Sequence, residues 1–152
     1  MKASDVPYAE DCNYWNTSRS APDTRMEKII RLIVQFGGTV LTSGFGNEHS
    51  PNRAAYMIRF SMEGEMFRIV WPVLTSEKGN TFAARRQATT MLYHDVKAKC
   101  VSAQVLGARA AFFSWIELPD GRPLCEMAMA DIMSRVPQMM LPTEADTNRK
   151  KE

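Results

Sequence analysis

The chain has few of the groups from which active sites are commonly assembled. Its 152 residues include only two histidines and three cysteines. There is no GxSxG elbow, no Walker-type loop, no GxGxxG and no HExxH. Cys12, Cys100 and Cys125 lie far apart and form no CxxC. With His49 and His94 they give no metal-ligand spacing, so neither a metal nor another cofactor is expected. Free thiols of this kind suit a reducing compartment. The first fifteen residues lack the apolar core of a signal peptide. No apolar run approaches the roughly 18 residues of a membrane span. A soluble, cytoplasmic protein with no membrane partner is the expectation. Net charge is also small, +2 with a pI of about 8.5, so only a local basic patch can argue for nucleic acid.

What the chain has is an ordinary globular balance, 45% hydrophobic and 24% charged, which argues against wholesale disorder. Its length fits one domain. Eleven methionines supply adaptable core filling or an adaptable binding surface.

The clearest pattern runs from Ala54 to Trp71. Residues alternate along two arms, with Tyr56, Ile58 and Phe60 on one and Phe67, Ile69 and Trp71 on the other. A period of two in aromatic and β-branched residues is the signal of a strand. Glu63-Gly64 reads as the turn of a hairpin. A two-residue turn sets Met62 opposite Glu65, and the remaining register follows. One face is then Tyr56–Trp71, Ile58–Ile69 and Phe60–Phe67. The other carries Met57 against Val70, Arg59 against Arg68 and Ser61 against Met66. Like charges directly opposed on a sheet are unfavourable, so the two guanidiniums call for an anion. A carboxylate elsewhere in the chain, plain solvation, a bound phosphate and an acidic partner all satisfy that demand.

Around the hairpin, Thr24 and Glu27 form a capping-box pattern ahead of Met26, Ile29, Ile30, Ile33 and Phe36, and Gly37-Gly38 follow. These predict a helix over 24–36. Residues 39–45 read as a strand and 46–53 as a loop. Residues 81–106 contain neither glycine nor proline and predict a long helix. Its stripe of Ala84, Ala88, Met91, Leu92, Val96, Ala103 and Leu106 is expected to lie on the aromatic face of the hairpin. Asp95 and Lys99 project onto the edge of that stripe as an i,i+4 pair. Beyond Gly107, residues 108–115 predict further helical turns. A short strand, a Pro119-Asp120-Gly121 turn and a return follow. Residues 128–136 predict a short amphipathic helix.

The expected fold is α+β: a helix, a three-stranded antiparallel sheet, a long helix on one face, and a small C-terminal strand-turn and helix. The expected organisation is an irregular arm over 1–20, one domain over 21–141 and a disordered tail over 142–152. Trp15 is expected to pin the arm to the domain.

The run RRQATTMLYHDVKAKCVSA, followed by FFSWIELPDGRPL and VPQMMLP, resembles a family of small uncharacterised proteins of bacteriophages and mobile elements. The resemblance spans about residues 16–141. It implies a phage-like or mobile-element context and no particular chemistry. The order of elements also resembles double-stranded-RNA-binding domains and the core of phage single-strand-annealing proteins. The lysine cluster that opens the second helix of the RNA-binding scaffold is missing, with only Arg85-Arg86 in its place.

Three functions follow as expectations. The first is a non-catalytic nucleic-acid-binding accessory protein. Arg59, Arg68, Arg85, Arg86, Lys97 and Lys99 would contact phosphates, and Tyr14 or Trp15 would stack on bases. The second is a protein-interaction module, such as an inhibitor of a host defence system (anti-CRISPR-like). There Arg59 and Arg68 would meet an acidic patch on a host protein around an apolar centre of Met57, Met66 and Val70. The same surface would serve a homo-oligomer. The third is a small enzyme, for which His49 and the Asp95–Lys99 pair are the available acid–base groups.

Overall fold

The computed structural model describes residues 6–17, 19–47 and 54–127. Helix α1 (Pro22–Gln35) precedes strands β1 (Thr39–Gly46), β2 (Ala55–Met62) and β3 (Glu65–Pro72). Helix α2 (Thr81–Leu106) and the short α3 (Ala108–Ala111) follow, then a 3₁₀ turn over Phe113–Trp115 and another over Leu124–Glu126. The sheet is antiparallel in the order β1-β2-β3, which makes the fold α+β. The helix expected over 128–136, the tail, and Glu48 and His49 lie outside the described residues.

Helix α1 starts earlier than the capping pattern predicts. Its N-cap is Ala21, which makes no side-chain bond, and Pro22 occupies the first turn. Proline's fixed φ suits that position, so the helix nucleates there and leaves Thr24 and Glu27 exposed within it. The stop is as expected. Gly37 takes φ 92, and the Gly38 N–H donates to the Ile33 carbonyl at 2.9 Å. This is the 6→1 bond of a Schellman ending.

The hairpin register is the one the sequence predicts. Met62 pairs with Glu65, Phe60 with Phe67, Arg59 with Arg68 and Tyr56 with Trp71. Glu63 and Gly64 adopt φ 53 and 77, as a type I′ turn requires of both central residues. Glutamate pays a steric cost there, but its carboxylate accepts the Ala108 N–H at 2.8 Å and so caps α3. The turn thereby joins the hairpin to the end of the helical layer.

Inward residues of the sheet meet both long helices. Ile58, Phe60, Phe67 and Ile69 are fully buried, in one cluster with Met26, Ile29 and Ile33 of α1 and Leu92, Val96 and Cys100 of α2. Phe60, Phe67 and Phe112 form a ring triad with centroids 5.2–5.5 Å apart. The stripe on α2 differs from expectation at three places. Met91 is half-buried and Leu106 is 65% exposed, whereas Cys100 is in the core. Met91 lies about 100° around the helix from Leu92. A 26-residue helix runs about 39 Å and an eight-residue strand about 27 Å, so α2 outruns the sheet and its last turn has little to cover it.

The segment after α3 closes against β3. Ile116 bridges Phe67, and the Glu117 N–H donates to the Met66 carbonyl at 2.9 Å. The Pro-Asp-Gly turn then returns the chain, with Leu118 N–H donating to the Arg122 carbonyl. At the other end, the N-terminal arm is docked. The buried Gln87 amide donates to the carbonyls of Ala9 at 2.7 Å and Asn13 at 3.0 Å. Trp15 is only half-buried, so the backbone hydrogen bonds to Gln87 hold the arm more firmly than its aromatic island.

Candidate functional site: the outward face of the sheet

Alternation along β2 and β3 sends Met57, Arg59, Ser61, Met66, Arg68 and Val70 to the side away from the helices. All six are half-buried, and none belongs to the core cluster or the side chains packed on it. On β1, Gly44 lies beside Met57 and Thr42 beside Arg59. The Thr42 hydroxyl reaches Met57, with Oγ1 3.9 Å from Sδ. The register shifts between Val40 and Thr42, and this bulge leaves Leu41 48% exposed on the edge strand.

Of the opposed arginines, Arg59 finds its anion inside the molecule. Arg59 Nε donates to Glu117 Oε2 at 2.7 Å. This hydrogen bond and the charge attraction across it raise the Arg59 pKa further, so the guanidinium is permanently charged. The Arg59 side chain keeps 34% exposure and Glu117 only 12%. The carboxylate reaches this face because Ile116 points inward beside Phe67, which turns Glu117 outward. The two partners are 58 residues apart, and nothing local in the sequence announces the pairing. Glu117 is the site residue that sequence reasoning misses.

The helical basic residues do not join this face. Arg85 is occupied at the start of α2: its Nε donates to the Tyr56 hydroxyl at 2.8 Å and its guanidinium lies 4.1 Å over the Phe45 ring. Burial raises the Tyr56 pKa, against the lowering effect of Arg85, so the phenol stays protonated. Arg85 also lines an apolar cleft of about 460 Å³ with Val73 and Leu74. Arg86 lies 5.3 Å over Phe82. Lys97 is exposed, and Lys99 Nζ is bonded to Asp95 Oδ1 at 2.8 Å. The latter is the i,i+4 pair the sequence predicts, worth a few tenths of a kcal/mol. Helix α2 packs on the inward face, so a surface containing both Arg59–Arg68 and Arg86–Lys97 has to pass around the edge of the sheet. A single basic sheet-and-helix patch does not form.

Among the described residues, no group of three or more His, Cys, Asp or Glu is placed to hold a metal ion, and no helix is long and apolar enough to cross a membrane. No protein-family model, curated protein or solved structure matches the chain.

Proposed function

We propose that the protein is a non-catalytic interaction module that binds another protein through the outward face of its sheet. The observation that carries this reading is the Arg59–Glu117 pair at 2.7 Å. A phosphate approaching Arg59 meets a carboxylate already bonded to it, and like charges repel. A protein surface meets charges of both signs beside the apolar surface of Met57, Met66 and Val70. An apolar centre with a charged, hydrogen-bonded rim is the anatomy of a protein interface. Arg59 is pre-oriented by Glu117, which reduces the ordering cost of using it in a contact. Arg68 stands beside it in register. An inhibitor of a host defence system fits this description, and so does association with a second copy.

The test is the absorbance ratio at 260 and 280 nm of the purified protein before and after a high-salt wash, with size exclusion on the same sample. A clean protein spectrum throughout is expected. Co-purified nucleic acid that salt removes, together with its loss in Arg86→Ala/Lys97→Ala, contradicts the reading and returns the protein to the nucleic-acid class.

A further inference from the structure

Between the end of β3 and the start of α2, the cleft of about 460 Å³ beside Arg85 has a chemistry of its own. Its walls come from three parts of the chain. Val73 and Leu74 follow Pro72 out of β3, Phe45 and Ala54 stand at the ends of the neighbouring strands, and Ala84 lies with Arg85 near the start of α2. Hydrogen bonds within the chain hold these walls in place. The Val73 N–H donates to the Ala54 carbonyl at 2.9 Å, and the Ala9 N–H of the arm donates to the Thr75 carbonyl at 2.8 Å. The Ser76 hydroxyl donates to Glu10 at 2.9 Å and accepts the Asn80 N–H at 3.0 Å. A pre-formed apolar cleft with few polar groups is the usual form of a small-molecule site.

Arg85 is the one charged side chain among the described residues that line the cleft. Its contacts with the Phe45 ring and the Tyr56 hydroxyl fix the guanidinium without neutralising it. Arg59, Arg109 and Arg122 each bond a carboxylate. The partner of Arg85 is an uncharged phenol, because burial raises the Tyr56 pKa. A guanidinium has five N–H donors, and the bond to Tyr56 uses only Nε–H. The donors on Nη1 and Nη2 meet no acceptor among the described residues. The first turn of α2 carries no acid either. Asp23 and Glu27 line a different cleft, with Phe45 as a shared wall.

We infer that this cleft binds a monocarboxylic acid with an unbranched apolar chain. The carboxylate accepts N–H bonds from the Nη groups of Arg85, whose planar fork matches its two oxygens. The apolar chain lies against Phe45, Val73, Leu74 and Ala84, and its burial there keeps water from the ion pair and strengthens it. A phosphate dianion is a poorer match, because one guanidinium among apolar walls leaves most of its oxygens without donors. The site is separate from the outward sheet face, since Phe45 pairs with Tyr56 on the inward side.

The experiment is isothermal titration calorimetry of the full chain with octanoate, octanol and acetate. Octanoate is expected to bind saturably, and octanol and acetate about ten-fold more weakly or worse, since each lacks one half of what the cleft recognises. Arg85→Gln should weaken octanoate about ten-fold, the effect of losing a charge-assisted hydrogen bond, and leave octanol unchanged. Arg31→Gln, an exposed change in α1 outside the cleft, should alter neither. Leu74→Asp places an acid in a half-buried wall and leaves the Arg85–Tyr56 bond alone, so it serves where Arg85→Gln does not fold. It should weaken octanoate more than octanol. No saturable binding of octanoate overturns the inference, as does equal affinity for octanol. Equal weakening by Arg85→Gln and Arg31→Gln overturns it too, because that is diffuse charge attraction. Val70→Glu on the sheet leaves octanoate binding intact, which separates this site from the protein-binding face.

Discussion

Cys100 shows what burial does to a single group. It sits at 0% exposure among Leu92, Val96 and the aromatic cluster, and desolvation pushes its thiol up to about 11. The reactive form is the thiolate, so Cys100 is inert in the folded protein at neutral pH. Cys12 is half-exposed and Cys125 exposed. A thiol reagent should therefore label Cys125 and Cys12 in the native protein, and Cys100 only after denaturation; mass spectrometry of the labelled peptides decides it. Rapid native labelling of Cys100 would mean that α2 does not pack as described. Widely spaced cysteines showed that no metal or disulfide motif was available. They could not show which cysteine lay in the core, because that depends on the rotation of α2 over a sheet distant in sequence. Glu63 teaches the same lesson. Its place in the turn was legible, but its reason was not, since the amide it caps belongs to Ala108.

At the scale of elements, the hairpin and α2 were the most legible. Alternation fixed the hairpin faces, and the two-residue turn fixed the register down to Arg59 opposite Arg68. Local patterns of this kind are set by neighbours in the chain. The ring triad that joins hairpin to C-terminal segment was not legible, because Phe112 comes from α3's end and meets Phe60 and Phe67 only in the fold. Phe112→Ala should destabilise the protein by about 3–5 kcal/mol in denaturant unfolding, through lost burial and a residual cavity. A cost below about 1 kcal/mol would place that ring outside the core. The arm provides a pH test. Burial tends to raise the Glu10 carboxyl, but bonds from the Glu77 and Lys78 N–H groups and from the Ser76 hydroxyl outweigh it, and its pKa falls below the ordinary 4.5. A lowered folded value contributes stability above pH 4.5 that is lost as pH falls through that value. Protection of the Glu77 and Lys78 amides, measured against their intrinsic exchange rates, should fall below pH 4.5, and Glu10→Gln should lower it already at neutral pH. Unchanged protection in the variant would show that the arm is held by Gln87 alone.

For the whole molecule, two layers divide the work. The helices bury the inward aromatic face, and the outward residues of β2 and β3 stay half-buried. The sequence raised the question with two opposed arginines. It held four possible answers open, because choosing among them required knowing what reaches that face from residue 117. The Arg59–Glu117 pair makes the surface mixed in charge and apolar at its centre, and the proposal of a protein partner rests on that. The decisive measurement compares proteins retained from cell extract by the immobilised chain with those retained by three variants of matched melting temperature. Met57→Glu and Val70→Glu place a charge in the apolar centre, and Lys97→Glu changes charge on the helical side. The account predicts a specific partner retained by the wild type and by Lys97→Glu, and lost, by about 30-fold or more in affinity, in both sheet variants. Retention by both sheet variants together with loss in Lys97→Glu would contradict it and move the functional surface to the helices.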